Sequence, residues 1–231
     1  MKRRIVVFVV EGPTDRDAIQ EALRELFSGI HFLVIHGDIT SNDKMTPVNI
    51  LAELGNHIKK ELSIYHFSAK QVVHIFHLMD TDGAYIPDER IFEGQEFRYL
   101  EDKIEHPDPI CIRKRNKRKR QLMDMLAGKN LICGIPYSCY YFSRNLEHVL
   151  HNIAGDLTPS EKQEYSHRFA EQYVGNVSGF IPFFSESVFS VPGDYEETWN
   201  YVRQETHSLQ RCSNFHLALD TLVQDERFHR K

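Results

Sequence analysis

The sequence predicts an α/β fold in which helices flank a parallel β-sheet, and two features of the first 80 residues support this prediction. Residues 5–10 read IVVFVV, a continuous run of β-branched and aromatic side chains that is typical of a strand buried on both faces. Segments Phe32–His36 and Val72–Met79 are also apolar, and a stretch with helical spacing of apolar residues precedes each of them. Alternating strands and helices are typical of parallel sheets with right-handed crossovers.

The two helices between these strands are predicted from apolar residues that recur every three or four positions. We expect the first helix to begin after Thr14, which would cap it with Asp17 at the third helical position, and to end at Gly29. We expect the second helix from about Pro47 to Leu62. Each helix would cover the sheet with one apolar face.

The chain beyond the third strand is less regular. Residues 84–112 contain three prolines and a cluster of acids, and we interpret them as an insertion. A helix should begin near the basic segment that follows and end at Gly128. We predict a fourth strand at Leu131–Ile135, which a bulge at the next residue, a proline, would extend to Phe142. A short helix is expected at Asn145–Ile153.

The composition indicates a folded chain in two parts, because 41% of the 231 residues are apolar and only 26% are charged. We predict an α/β domain at residues 1–155 and a helical C-terminal appendage at residues 156–231. The helical stretches of the appendage are Pro159–Val174, Asp194–Ser208 and Asn214–Arg227. Between the first two, Phe180–Pro192 contains four phenylalanines, which we expect in a core or a partner interface rather than in a base-stacking platform.

The expected location is the cytoplasm, without membrane contact. No apolar run approaches the ~20 residues of a membrane span, and the apolar stretch near the N-terminus is too short for a signal peptide. The four cysteines form no CxxC pair, so reduced thiols are expected.

The charge of the chain is unevenly distributed. There are 28 basic and 33 acidic residues, but residues 113–120 read RKRNKRKR, and without them 21 basic residues face 33 acidic ones. A local basic segment on an acidic chain favours contact with a polyanion, and we predict a nucleic-acid backbone. The predicted contact residues are Arg113, Lys114, Arg115, Lys117, Arg118, Lys119 and Arg120. A solvated helix face is the alternative, and the lysines of this segment are also candidates for a catalytic cation.

Two acidic turns follow the first and third predicted strands. Glu11 and Asp15 follow the first strand, while Asp80 and Asp82 follow the third. Ligands of open parallel sheets bind at the carboxyl ends of the strands, so these four carboxylates should converge there if the two strands are neighbours. Carboxylate oxygens in this number suit Mg²⁺ or Mn²⁺ rather than zinc. A divalent metal beside a polyanion-binding segment indicates phosphodiester chemistry.

Each of these acids also has a simpler interpretation. Asp15 alone is typical of a helix cap, and Asp82-Gly83 alone is a common turn sequence. Asp80 and Asp82 lie two positions apart where the predicted strand ends, and we expect both to face one cation only if this end of the strand curls over it. The occurrence of two acidic turns at two strand ends of one βαβαβ unit is the more specific signal.

These motifs resemble those of the Toprim domain, whose pattern is a strand-ending Glu-Gly and a later strand-ending Asp-x-Asp. VVEGPTD and HLMDTDG stand in the family's order, and the resemblance covers roughly residues 3–153. It implies that Glu11 is a general acid/base or metal ligand and that Asp80 and Asp82 bind Mg²⁺. EGPTD is most similar to the OLD-type (overcoming lysogenisation defect) nucleases, which implies a metal-binding role for Asp15 as well.

A further candidate ligand is Glu147. The segment Asn145-Leu146-Glu147 is similar to one in small, defence-associated OLD-like proteins, where a glutamate opens a helix near the site. The alternative is structural, because an acid in the first turn of a helix is favoured by the helix dipole.

The resemblance implies a metal-dependent endonuclease, with a phage-defence effector as one setting. The chain contains no GxxxxGK[ST] phosphate-binding motif, so an ATPase or sensor function would have to come from a separate subunit. An RNA-processing nuclease with one housekeeping substrate and a non-catalytic nucleic-acid-binding or regulatory subunit are the alternatives. The substrate, DNA or RNA, and the oligomeric state, including a homodimer, are left open.

Overall fold

The computed structural model describes residues 4–153, 155 and 157–228. Three of the predicted boundaries lie outside the described residues. They are the start of the first domain at residue 1 and the start and end of the C-terminal region at residues 156 and 231. The strands are β1 (Ile5–Val10), β2 (His31–His36), β3 (Val72–Asp80), β4 (Ile91–Glu93), β5 (Arg98–Tyr99), β6 (Ile104–His106), β7 (Leu131–Ile132) and β8 (Ile135–Phe142). The helices are α1 (Pro13–Leu26), α2 (Ile50–Ile64), α3 (Pro109–Ala127), α4 (Leu146–His151), α5 (Pro159–Glu171), α6 (Phe180–Ser185), α7 (Tyr195–Val202) and α8 (His216–Gln224). Short 3₁₀ turns occupy Ala69–Gln71, Asp88–Arg90, Val177–Gly179 and Glu226–Phe228.

The central sheet confirms the predicted α/β fold. Its five strands lie in the order β2-β1-β3-β8-β7. β1 pairs in parallel with β2 and β3, and β3 pairs in parallel with β8, whereas β7 is antiparallel to β8. Every residue of β1 is buried, as expected for the central strand of a parallel sheet that is covered on both faces. The arrangement is Rossmann-like, with β1 and β3 as direct neighbours.

The prediction of a fourth strand at Leu131–Ile135 is wrong. The chain instead forms the two-residue strand β7, turns at Cys133 and Gly134 with positive φ angles of 50° and 76°, and returns as the long strand β8. Pro136 does not cause a bulge, because it faces Leu131 of the short strand β7 and the pairing of β8 with β3 starts only at the next residue. A proline is tolerated at such a position because no ladder hydrogen bond to a central strand requires its N–H.

Two helix starts also differ from the prediction. α1 begins at Pro13, with Gly12 as its N-cap, because proline favours the first helical position, where no N–H partner is needed. Asp15 rather than Asp17 is therefore the third helical residue. α2 begins at Ile50, after a turn in which the backbone N–H of Thr46 donates to the Asn49 side chain over 2.8 Å.

Helices cover both faces of the sheet, and the C-terminal region contributes to both layers. One core cluster combines the sheet with α2 and α3 and includes Trp199 and Val202 of α7. The other combines it with α1, α4 and α5 and includes Phe180 and Phe215. The four phenylalanines between residues 180 and 189 all lie in or against this second core, which confirms the expectation of a core or interface role. The C-terminal helices thus pack directly on the sheet.

The predicted insertion forms a small sheet of its own. Its strands lie in the order β4-β6-β5, and its core contains Ile91 and Ile104 together with Ile112 of α3. This small sheet therefore packs against the first turns of α3. In the part of the chain described here, no helix combines the length and apolar character that crossing a membrane requires.

Candidate functional site

A polar pocket of about 260 Å³ lies at the carboxyl ends of β1 and β3. All five predicted acidic site residues line it. The lining residues are Glu11, Gly12, Thr14, Asp15, Asp38, Ser41, Asp80, Asp82, Asn145, Glu147 and Lys162. The convergence follows from the sheet order, because β1 and β3 are neighbours and both end at this edge.

The turn after β1 supplies Glu11 and Asp15. The Thr40 hydroxyl donates to Glu11 Oε1 over 2.8 Å, and the backbone N–H of Gly12 donates to Asp15 Oδ2 over 2.7 Å. Burial raises the pKa of Glu11 to about 7, against the opposing attraction of Lys119. Burial and then the nearby charge of Glu147 raise the pKa of Asp15 to about 7.

The turn after β3 is curled by a buried threonine. The Thr81 hydroxyl donates to the Ser208 carbonyl over 2.9 Å and accepts from the Arg144 backbone N–H over 2.8 Å. Asp82 has a positive φ of 48° and its N–H donates to the Arg144 carbonyl over 2.9 Å. An aspartate tolerates this left-handed conformation better than most residues. The curl brings Asp80 and Asp82 to the same pocket.

The two aspartates of this turn differ in their electrostatics. Burial, followed by repulsion from Glu11, Asp15 and Asp82, raises the pKa of Asp80 well above its ordinary value. Burial also opposes the charge on Asp82, but the cations Lys119 and Arg115 outweigh it and lower the pKa of Asp82. Asp82 is therefore a firmly ionised carboxylate, and Asp80 is the carboxylate whose charge is least compensated.

Lys119 of α3 is fully buried and its ammonium group lies among the acids of the pocket. Its Nζ contacts Asp82 Oδ2, lies 3.4 Å from Glu11 Oε1 and donates to Ser41 Oγ over 3.0 Å. Burial alone would lower the pKa of Lys119, but Asp82, Glu11 and Asp80 raise it above its ordinary value. The sequence named Lys119 only as one of seven equivalent cations in the basic segment, because the helical phase that turns it inward depends on the packing of α3.

Glu147 and Lys162 form the opposite side of the pocket. The Asn145 side chain caps α4 by accepting from the His148 N–H over 2.9 Å, which places Glu147 in the first turn. The Lys162 Nζ of α5 lies 3.4 Å from Glu147 Oε1. Sequence reasoning missed Lys162, which carries no motif. Asp38 was also missed, although it follows β2 just as Glu11 follows β1. The role of Glu147, ligand or helix-dipole partner, stays open.

The seven cations of the basic segment do not share one surface. Arg115 donates to the Asp82 carbonyl over 2.8 Å, and Arg118 donates to the Ser41 carbonyl over 3.0 Å, so both support the pocket as Lys119 does. Arg113 and Arg120 instead contact the insertion through the backbone carbonyls of Asp88 and Ile91 and the Asp88 carboxylate. Lys114 and Lys117 are the two exposed members. Nucleic-acid contact by these residues stays a prediction.

The chemistry of the pocket fits a hard divalent ion, but its side chains do not form a closed ligand set. Its donors are carboxylate oxygens, which Mg²⁺ and Mn²⁺ prefer, and the mutual repulsion that raises the pKa of Asp80 is what a cation would relieve. However, no three histidine, cysteine or acidic side chains among the described residues are grouped as a metal site. The ammonium of Lys119 lies between two of the predicted ligands.

The fold and the pocket together define an α/β protein with an acidic site at the carboxyl edge of a parallel sheet. Comparisons with protein-family models, with curated proteins and with solved structures find no match for this chain. The resemblance to the Toprim domain therefore depends on the two sequence motifs alone.

Proposed function

We propose that this protein is a metal-dependent nuclease that hydrolyses phosphodiester bonds of DNA or RNA. One observation carries the proposal: five carboxylates from three separate segments line a single pocket at the carboxyl ends of β1 and β3. Such a set suits a hard divalent cation, and phosphodiester hydrolysis commonly uses such cations. The motifs that resemble the Toprim domain support the same reaction.

The carboxylates of the pocket are the residues that would hold Mg²⁺ or Mn²⁺. They are Glu11, Asp15, Asp80, Asp82 and Glu147. When bound, such an ion supplies Lewis-acid polarisation of the phosphate and lowers the pKa of water. The raised pKa values of Asp15 and Asp80 support this part of the proposal, because cation binding would make ionisation of both carboxyls favourable.

Glu11 is the residue best suited to move protons in this reaction. In the metal-free protein burial raises its pKa to about 7, and a general acid/base is most effective in this range. The hydrogen bond from Thr40 fixes the orientation of its carboxyl group. In the proposed reaction Glu11 takes a proton from the attacking water and returns one to the leaving oxygen.

The cations around the pocket would bind the substrate. Lys162, with 38% of its side chain exposed, would attract the scissile phosphate to the pocket. Lys114 and Lys117 would contact the nucleic-acid backbone along the outer side of α3. Phosphate contacts of this kind carry no sequence information. A role as a cytoplasmic phage-defence effector that works with a separate ATPase or sensor subunit rests on the OLD-type resemblance and forms part of this proposal.

A cleavage panel tests the proposal. Purified protein would be incubated with plasmid, single-stranded DNA, ribosomal RNA and tRNA, in Mg²⁺, Mn²⁺ or EDTA. We expect cleavage of at least one substrate with a metal and none with EDTA. Glu11→Gln should reduce the cleavage rate by about 10²–10⁴-fold, the usual contribution of a general acid/base.

The matched control is Glu53→Gln, which makes the same change at an exposed position of α2, outside the pocket. It should cleave as the wild-type protein does. Metal-dependent cleavage that survives both Glu11→Gln and Asp80→Asn would contradict the proposed site. Absence of cleavage on every substrate would favour the second candidate.

The second candidate is a nucleic-acid-binding or regulatory subunit without catalytic activity. Lys119 favours it, because its contacts with Glu11 and Asp82 neutralise part of the acidic site without a metal. In that case, binding to nucleic acid should be unaffected by EDTA and no cleavage should be detected.

A further inference from the structure

The turn after β3 holds two successive residues in the left-handed region of backbone conformation. Asp82 has a φ of 48° and Gly83 a φ of 64°. A glycine adopts this conformation freely, whereas an aspartate adopts it at a cost and depends on the contacts around it. The contacts that hold this turn therefore decide where the Asp82 carboxylate lies in the pocket.

Two arginines from different parts of the chain hold the backbone of Asp82. Arg115 of α3 donates from Nη2 to the Asp82 carbonyl over 2.8 Å, and the carbonyl of Arg144, which follows β8, accepts from the Asp82 N–H over 2.9 Å. The fully buried Asn116 donates to the Gly83 carbonyl over 3.3 Å and accepts from Arg115 Nη2 over 2.8 Å. Two neighbouring side chains of α3 thus hold two successive carbonyls of the turn.

Tyr99 of the insertion contacts both of these arginines. It lies on β5, an edge strand of the small sheet. Its hydroxyl accepts from Arg115 Nη1 over 2.8 Å. The centre of its ring lies 4.9 Å from the guanidinium carbon of Arg144, a distance at which an aromatic face attracts a cation. One side chain of the insertion therefore contacts both residues that hold the Asp82 backbone.

The shape of the Arg115 side chain couples its two contacts. A guanidinium group is planar and rigid, so the hydroxyl that fixes Nη1 also fixes the direction in which Nη2 donates to the Asp82 carbonyl. Arg115 also donates to the side chain of Asn116, its neighbour on the same helix. The insertion thus reaches the turn after β3 through a short series of directed contacts, from Tyr99 to Arg115 and from Arg115 to Asp82.

We propose that Tyr99 is a positioning residue of the candidate site, and that the insertion controls the position of the Asp82 carboxylate through the contact of Tyr99 with Arg115. The inference rests on the proposed function and deepens it, because it gives the insertion a part in the regulation of the same site. Its physical basis is that chemical groups act on a substrate efficiently only when they are held in the correct geometry.

Amide hydrogen exchange of the full chain, measured by NMR without added metal, tests the inference. Tyr99→Phe removes only the hydroxyl and keeps the ring against Arg144. We expect exchange of the Asp82 amide to accelerate about tenfold, the effect of losing one hydrogen bond to a charged group, while the amides of β6 keep their protection. Tyr65→Phe makes the same change at an exposed position at the end of α2 and should leave both segments as in the wild-type protein.

A double substitution shows whether Tyr99 acts through Arg115. Arg115→Lys keeps the positive charge but does not hold two acceptors in fixed directions, so it should accelerate exchange at Asp82 as well. Adding Tyr99→Phe to Arg115→Lys should then change this rate less than about twofold, because residues that act through one contact are not additive. A tyrosine that only stabilises the insertion would instead give the sum of the two effects.

Arg113→Gln is the control for a general loosening of the insertion. The Arg113 side chain donates to the backbone carbonyls of Asp88 and Ile91 in the insertion. Its loss should accelerate exchange in the small sheet and leave exchange at Asp82 unchanged. Tyr99→Phe should show the opposite pattern, which separates the positioning of Asp82 from the stability of the insertion.

Three exchange results would overturn the inference: an unchanged rate at Asp82 in Tyr99→Phe, an equal acceleration in β6, or additive effects of Tyr99→Phe and Arg115→Lys. On a substrate that the wild-type protein cleaves, Tyr99→Phe should lower kcat about tenfold or more and leave KM within about twofold, because Lys114 and Lys117 are unchanged. An unchanged kcat would overturn it as well. The proposed nuclease function fails separately, when the exchange results are as expected but the wild-type protein cleaves no nucleic acid.

Discussion

At the scale of single residues, the pocket is a set of acids whose charges are only partly compensated. Lys119 compensates the negative charge of Asp82 and part of that of Glu11. Because this compensation is uneven, the carboxyl groups of the pocket differ in pKa. Asp82 has a lowered pKa, while Glu11 and Asp15 have pKa values of about 7. Such separation of neighbouring carboxyls is common where acid/base chemistry takes place, and it makes the stability of the protein sensitive to pH.

We expect the metal-free protein to lose stability as the pH rises from 6.5 to 8. Glu11 and Asp15 keep protons in the folded state that the unfolded chain has already released, so each lowers the stability by roughly 1 kcal/mol over this range, and the raised pKa of Asp80 acts in the same direction. Buried His74, His77 and His148, whose pKa values are lowered to about 4 or below, act with the opposite sign and offset part of this loss near pH 6.5.

Urea unfolding at several pH values in EDTA measures this dependence. Asp15→Asn removes one of these carboxyl groups and should make the decline shallower. A decline as steep in Asp15→Asn as in the wild-type protein would show that Asp15 is already ionised in the folded state at pH 6.5.

The hydroxyl of Thr81 holds the curl that brings Asp80 and Asp82 together. Thr81→Val keeps the shape of the side chain but removes two buried hydrogen bonds, to the Ser208 carbonyl and from the Arg144 N–H, which together should cost about 1–3 kcal/mol. Thr81→Ser keeps the hydroxyl and is the matched control. We expect lower stability and weaker Mn²⁺ binding for Thr81→Val only, measured by urea unfolding and calorimetry; equal effects of the two substitutions would mean that the methyl group, not the hydroxyl, matters.

At the scale of elements, α3 connects the insertion to the pocket. Arg115 donates to the Tyr99 hydroxyl over 2.8 Å and to the Asp82 carbonyl over 2.8 Å, so it links the small sheet to the turn after β3. Arg113 and Arg120 hold the insertion from the same helix. The basic segment thus has a structural role on two of its sides, and its solvent side alone is open to nucleic acid.

Substitutions on the two sides of α3 should affect different properties. Those on the solvent side should weaken nucleic-acid binding, and those on the side that faces the insertion should lower stability. Lys114→Gln with Lys117→Gln should reduce the slope of log K against log salt by about 1.8 on duplex DNA, or about 1.4 on single strands, if both lysines contact phosphate. The melting temperature should stay the same, because both side chains are exposed.

Arg113→Gln with Arg120→Gln is the matched control for this change in charge. It should lower the melting temperature through lost contacts with the insertion and leave the salt slope nearly unchanged. Binding measured at several salt concentrations, beside melting curves, distinguishes the two variants. An unchanged slope in the Lys114/Lys117 variant would refute the nucleic-acid role of this side of α3.

At the scale of the whole molecule, the sheet and the C-terminal helices share their cores. Phe215 packs against Phe8 of β1 and Phe142 of β8, and Trp199 packs against Tyr141 of β8 on the opposite face. The C-terminal region therefore contributes to the stability of the sheet that carries the site.

We expect the protein to unfold in one transition. Trp199, the single tryptophan, reports on the C-terminal region by fluorescence, and far-ultraviolet circular dichroism reports on the whole fold, so the two urea curves should coincide. Phe215→Ala should shift both curves together by about 3–5 kcal/mol, as expected for loss of a buried phenylalanine. Two separate transitions would instead indicate an independent C-terminal domain.

Much of the fold could be predicted because its signals are local. The buried strands β1 and β3 are visible as apolar runs, and the acids that follow them are brought together by any sheet in which these strands are neighbours. Glu11, Asp15, Asp80 and Asp82 could therefore be placed at one edge from the sequence alone. The boundaries that were wrong depend on local backbone geometry: the turn at residues 133–134 requires two positive φ angles, which an apolar pattern does not reveal.

The tertiary structure alone decided which cation enters the site and which surface remains for a partner. Seven basic residues within eight positions look equivalent in the sequence, but the packing of α3 turns Lys119 into the pocket, Arg113 toward the insertion and Lys117 toward solvent. Lys162 reaches Glu147 only because α5 packs beside α1 and α4. The sequence by itself determined the strands β1, β2 and β3 and the acids that follow β1 and β3, because these depend on neighbouring residues. The charge balance of the pocket depends on contacts between residues far apart in the chain.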